Sequence, residues 1–84
     1  MTESFAWWDW PLEISPHAEK RMADRGFSEI DVRLMIEEHA SVREDHEEGR
    51  WIVVAMHGGS EWEVVLEPDP VDEVIVLVTA YPVD

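Results

Sequence analysis

HAEKRMADRGFSEIDV, residues 17–32, reads as one helix, a stop and the start of a second helix. Ser15 and Pro16 just before it are an N-cap and first-turn pair: the serine hydroxyl accepts from a free amide, and proline lacks an amide that would go unpaired. The first helix is expected from about Pro16 to Arg25, with Ala18 and Met22 on a stripe that faces a core. Gly26 supplies the left-handed residue that ends it, and Phe27 the apolar contact such ends favour. Ser28 restarts the chain with Asp31 three positions on, a capping box in which Asp replaces the usual Glu. The second helix is expected from about Glu29 to His39, with Ile30, Val32, Leu34, Met35 and Ile36 as a broad apolar face. So tight a joint makes the two helices a hairpin or an angled pair.

The first helix also carries chemistry. His17, Arg21 and Arg25 follow at four-residue spacing and so project from successive turns of one face. Imidazole exchanges a proton near neutral pH, and guanidinium forks clamp phosphate oxygens, so the ridge suits a phosphodiester. Salt bridges explain the same arginines more simply, since Glu13, Asp24 and Glu29 stand close in sequence.

Downstream of the helices, β-branched and aromatic residues take over and glycine and proline mark the turns. Strands are expected at 41–47, 50–57, 61–67 and 73–81, separated by Glu48 and Gly49, by Gly58 and Gly59, and by Pro68 to Pro70. Connections this short imply an antiparallel meander. A two-residue turn at Gly58 and Gly59 sets His57 against Ser60, Ala55 against Trp62, Val53 against Val64 and Trp51 against Leu66 on one face, the core face. The other face pairs Met56 with Glu61 and Val54 with Glu63 and is partly wet. The last strand, from Val74 to Tyr81, is apolar on both sides, so something must cover its second face. The segment FAWWDWP at residues 5–11, with Trp7, Trp8 and Trp10, is the internal candidate; a second subunit is the other. The whole is a single α+β domain over 1–84: an aromatic segment at 1–14, a helical pair at 15–40 and a meander at 41–84.

Eighty-four residues bury only roughly 60 to 65% of the unfolded surface, so the core must be compact. There is no cysteine, hence no disulfide framework and no thiolate ligand or nucleophile. No run approaches the ~20 apolar residues that span a bilayer, and the tryptophan-rich start lacks the basic residues of a secretory signal, so a cytoplasmic protein without membrane contact is expected. His39, His46 and His57 follow no metal-ligand spacing, and the hairpin register sets His46 and His57 on the order of 13 Å apart. Glu44, Asp45, Glu47 and Glu48 read as an exposed acidic turn. No cofactor or metal is expected.

The net charge is −14, from twenty Asp and Glu against six Lys and Arg. Residues 20–50 hold all six bases, and everything after Arg50 is anionic. Nucleic-acid binders gain most of their affinity from Lys and Arg that release counterions, so this charge disfavours RNA as a partner. Two explanations remain for the acidity: a salt-rich cytoplasm that screens self-repulsion, or a basic protein partner that meets the acidic face.

The helix motif resembles the opening of a domain-of-unknown-function family with the pattern H-A-x-x-R-M-x-x-R-G, an apolar residue, then S-x-x-D-V. A late strand with Val78, Thr79 and Tyr81 is similar too. That family resembles relatives of the RelE and BrnT-type toxins, which implies two N-terminal helices packed on a curved antiparallel sheet of about four strands. It also implies RNA cleavage held in check by an antitoxin partner. By this resemblance His17, Arg21 and Arg25 match polar positions, Met22 and Gly26 match packing and turn positions, and Tyr81 is a sheet-borne catalytic candidate. RelE-type ribonucleases line their sheet with Lys and Arg, which this sheet lacks after Arg50, and such electrostatic stabilisation contributes several kcal/mol to catalysis.

Two functions follow. One is a toxin-like, metal-independent RNA endonuclease, with His17 as proton carrier, Arg21 and Arg25 as phosphate clamp and Tyr81 assisting from the sheet. The other is a non-catalytic acidic interaction domain on the same scaffold, which pairs with a basic protein or a second copy of itself.

Overall fold

Local signals set the helix ends. In the computed structural model, which describes residues 5–83, the chain runs β1 (Leu12–Ile14), α1 (Pro16–Arg25), α2 (Glu29–Glu37), β2 (Ser41–Glu44), β3 (Trp51–His57), β4 (Ser60–Asp69) and β5 (Val74–Pro82). Residues 1–4 of the expected aromatic segment, and residue 84, lie outside the described residues. The Ser15 hydroxyl accepts from the Ala18 amide at 3.0 Å, with Pro16 in the first turn. Gly26 closes α1 at φ 69°, and the amides of both Gly26 and Phe27 return to the Met22 carbonyl. Ser28 and Asp31 form the reciprocal box, with bonds of 2.9 and 3.2 Å. The Ser28 backbone amide, more than any other contact, holds the Asp31 carboxyl below its usual range.

The sheet has five strands in the order β1-β5-β4-β3-β2. β1 runs parallel to β5, and the other pairs are antiparallel. This corrects the expected four-stranded meander: the sheet is mixed and gains a strand ahead of the helices. Three residues between Pro11 and Ser15 carry no periodic signal of their own, and their partners Ile75, Val76 and Leu77 lie more than sixty positions away. β2 is shorter than expected because the connection to β3 begins at Asp45, whose amide donates to the Arg50 carbonyl. β4 instead runs through Pro68 to Asp69, and the Asp69 carboxylate folds the next turn by accepting from the amides of Val71 and Asp72. The Gly58 and Gly59 turn, both at positive φ, yields the expected register from Trp51 opposite Leu66 to His57 opposite Ser60.

One face of the sheet receives the helices, α1 against β5 and α2 against β3 and β4. Ala18, Phe27, Val32, Met35 and Ile36 meet Val53, Ala55, Trp62, Val64, Leu66, Ile75, Leu77 and Ala80 in one cluster. Phe27 stands edge-on to Trp62 at 5.3 Å. Ile30 and Leu34, expected in this core, are 73% and 47% exposed. α2 is apolar around much of its circumference, and the arc holding Val32, Met35 and Ile36 is the one that meets the sheet.

The tryptophan segment extends the same layer. Trp7, Trp8 and Trp10 pack against the helix-side cluster, and Phe5, Trp7 and Trp51 stack within 4.8 to 6.0 Å of one another. The segment therefore does not cover the second sheet face, contrary to expectation. Among the described residues no element covers that face. Ile52 and Val65, 8% and 7% exposed, lie on it outside the main cluster.

Candidate functional site

α1 places His17, Arg21 and Arg25 one turn apart, as their spacing requires. His17 is exposed in the first turn. Arg21 donates to Asp24 at 3.0 Å within the same helix. Arg25 reaches across to β5 and donates to the Ala80 carbonyl at 2.9 Å. The reason lies in the edge of β5. β1 pairs only as far as Leu77, and a bulge between the pairs Val65–Thr79 and Leu66–Leu77 leaves Val78 as an extra residue. Ser15 donates its hydroxyl to the Val78 carbonyl at 3.2 Å, so Ser15 and Arg25 together receive the carbonyls that a sixth strand would otherwise bind. Both arginines of the ridge thus have partners within the fold.

Tyr81 stands elsewhere. Strand alternation puts Ala80 in the core and Tyr81 on the open face, opposite Glu63 of β4. The Tyr81 hydroxyl donates to Glu63 Oε1 at 2.6 Å, and Arg43 of β2 donates to Glu63 Oε2 at 3.1 Å. The bond from Tyr81, reinforced by Arg43, holds the Glu63 carboxyl below its usual range against the opposing effect of burial. The same bond, with burial, raises the Tyr81 phenol. The trio is therefore a charged carboxylate between a neutral phenol and a guanidinium, a proton donor and a cation arranged around one anion. A second pair on this face joins Arg50 to Glu67 at 2.9 Å, which raises the Arg50 guanidinium.

The structure thus groups Tyr81 with Glu63 and Arg43, and not with the helix ridge. Neither Glu63 nor Arg43 was selected from sequence. Glu63 stood on the expected wet face, but its pairing with Tyr81 depends on where the β4–β5 turn falls, and that turn lies at 70–73 rather than 68–70.

By the same alternation Glu13, Glu61, Glu63, Glu67 and Asp69 all point to the open face, against two guanidiniums that are already paired. Between them lie Ile52, Val54, Met56, Val65, Val74 and Val76. The face is an apolar strip with an acidic surround. Among the described residues no group of three or more His, Asp or Glu is close enough to hold a metal ion, and no helix is long and apolar enough to cross a membrane.

No curated protein and no solved structure matches this chain. The model of a family described as a domain of unknown function matches residues 14–82, from the end of β1 to the end of β5, a span that contains His17, Arg21, Arg25, Glu63 and Tyr81.

Proposed function

The chain belongs to the DUF4258 family, and from its open sheet face we propose that it is a non-catalytic interaction domain that takes a basic protein segment. The scaffold on this reading is that of the RelE and BrnT-type toxins, retained without a strongly basic catalytic surface. One observation carries it: an uncovered sheet face with an apolar strip and five carboxylates against two paired arginines. An uncovered apolar strip, with Met56 62% exposed and Val54, Val74 and Val76 part-exposed, marks an interaction surface, and the excess of one charge sign selects a partner of the other. A strand or helix that alternates apolar residues with Lys or Arg fits both features.

The test is a random-peptide selection on the purified protein. Enriched peptides should carry Lys or Arg among apolar residues, bind less tightly as salt rises, and lose at least about tenfold in affinity to Val54→Lys or Val76→Lys protein, since both side chains are part-exposed on this strip. Peptides without basic residues, or binding untouched by either variant, would sink the proposal.

A second reading, RNA cleavage, draws on the trio of Tyr81, Glu63 and Arg43. Tyr81 supplies the proton, Glu63 accepts one and Arg43 faces the phosphate, while His17, on the helix side of the sheet, takes no part in this reading. Metal-free cleavage of RNA by the wild type, lost in Tyr81→Phe and in Arg43→Gln, supports it; an inert wild type removes it.

A further inference from the structure

Three tryptophans line an open cavity that neither reading uses. The turn at residues 5–10, closed by bonds from the Trp8 amide to the Phe5 carbonyl and from the Trp10 amide to the Trp7 carbonyl, brings Trp7 and Trp10 round to Trp51. Trp7 and Trp51 meet at 6.0 Å and 43°, as two adjoining walls. Trp10, Gly49, Pro68 and Pro70 complete a cavity of about 300 Å³ that opens to solvent. That volume is at the low end for small-molecule sites and suits a single head group.

Its surroundings state the charge of the occupant. Asp9 precedes Trp10 and Glu48 precedes Gly49, both exposed, in a chain of net charge −14, whereas the carboxylate of Asp69, between Pro68 and Pro70, belongs to the open face and is taken by the Val71 and Asp72 amides. The two nearby cations are engaged elsewhere: Arg33 donates to the Trp10 carbonyl at 3.2 Å and Arg50 to Glu67 at 2.9 Å. The lining is three indoles, two prolines and a glycine with little polar surface, so a primary ammonium, which must keep three donors satisfied, is poorly served. A quaternary ammonium carries its charge on methyl groups and needs none. Aromatic faces attract such a cation when it stands within about 6 Å of the ring centroids.

We propose that Trp7, Trp10 and Trp51 form an aromatic cage that binds a trimethylammonium group. The cage is preorganised, because Trp8 stands edge-on to His39 at 5.0 Å, Arg33 fixes the Trp10 backbone, and Phe5 stacks on Trp7 at 5.0 Å. Little side-chain freedom remains to be lost on binding.

Choline and its neutral isostere 3,3-dimethyl-1-butanol separate charge from shape. Titration of the wild-type protein, followed by tryptophan fluorescence and indole N–H chemical shifts at constant ionic strength, should show saturable binding of choline at least about tenfold tighter than the isostere. Tetramethylammonium should compete with choline. A peptide with trimethyllysine, titrated in parallel, distinguishes a protein side chain from a free small molecule as the source of the group: the tighter of the two is the source. Trp10→Leu and Trp7→Leu should each weaken choline at least about fivefold with the fold retained by circular dichroism. Equal response to choline and the isostere, or no saturable response to any of the three cations, overturns the cage without recourse to a variant.

Discussion

The hydroxyl of Tyr81 stands 2.6 Å from Glu63 Oε1 on a sheet face that nothing else in the described chain covers. This bond joins β5 to β4 at the point where the sequence resemblance and the open face coincide. Tyr81→Phe should therefore lower stability by about 1 kcal/mol near neutral pH, less than the ~1.5 to 3 kcal/mol of a hydrogen bond to a charged group because this one is reached by solvent. The pH dependence has two limbs. Glu63 is depressed in the folded state, so its contribution is present above the ordinary carboxylate range and is lost as pH falls through the lowered value. Tyr81 is raised, so its contribution is present below the ordinary phenol range and is lost as pH rises through the raised value. Urea denaturation of both proteins across pH should show a gap that is widest between these limits and closes at both ends. A gap constant across pH would mean that the lost contact was packing alone.

Arg25 and Arg21 share a helix face but differ in what they hold. Arg25 bonds a backbone carbonyl at the edge of β5, where truncation leaves an acceptor with only water; Arg21 pairs with an exposed carboxylate one turn away. Arg25→Gln should cost about 1 kcal/mol, whereas Arg21→Gln should stay within about 0.5 kcal/mol. Thermal melts of the two variants rank them. Equal effects would mean that the Ala80 carbonyl is satisfied without Arg25.

These contrasts show how far the sequence reaches. The helix ends were legible because Ser15, Gly26, Ser28 and Asp31 act within a few residues of themselves, and the β3–β4 register followed from Gly58 and Gly59 alone. β1 was illegible because three residues have no period and their partner lies at the far end of the chain. Ile30 and Leu34 were misplaced because α2 has more apolar surface than the sheet can cover, and only packing selects the arc. The surroundings of the candidate residues were hidden for the same reason. The bond from Arg25 to the Ala80 carbonyl emerges only once α1 is known to lie along an open strand edge, and Glu63 looks like an ordinary wet carboxylate until Tyr81 is known to sit opposite.

Backbone conformation gives a prediction of opposite signs. Gly26 and Glu73 both hold positive φ, at 69° and 54°. A side chain at that conformation costs roughly 1 kcal/mol. Gly26→Ala should therefore destabilise by about that amount although a Cβ there meets open space. Glu73→Gly should stabilise by about 0.5 kcal/mol, the relief of strain being partly offset by the greater freedom of glycine in the unfolded chain. Denaturant midpoints read both. A loss of stability in Glu73→Gly would show that its side chain makes a contact worth more than the strain.

Self-repulsion of the whole chain gives the last prediction. With a net charge of −14 on 84 residues, folding brings carboxylates of the acidic sheet close together while the six cations are confined to residues 20–50. Repulsion between exposed carboxylates is screened beyond about 10 Å at 0.1 M salt and beyond about 3 Å at 1 M. The pairs that salt weakens, Arg21 with Asp24, Arg43 with Glu63 and Arg50 with Glu67, are few and at least one partner in each is substantially exposed, so they contribute little to lose. The melting temperature should therefore rise by at least about 5 °C between 10 mM and 1 M sodium chloride, which for a domain this size corresponds to about 1 kcal/mol. Peptide binding at the open face should weaken over the same range, since there the attraction is between unlike charges. The two trends together separate the roles of the acidity. A rise in stability without any salt-sensitive binding assigns the carboxylates to life in a salt-rich medium, whereas salt-sensitive binding on a flat stability profile assigns them to the partner.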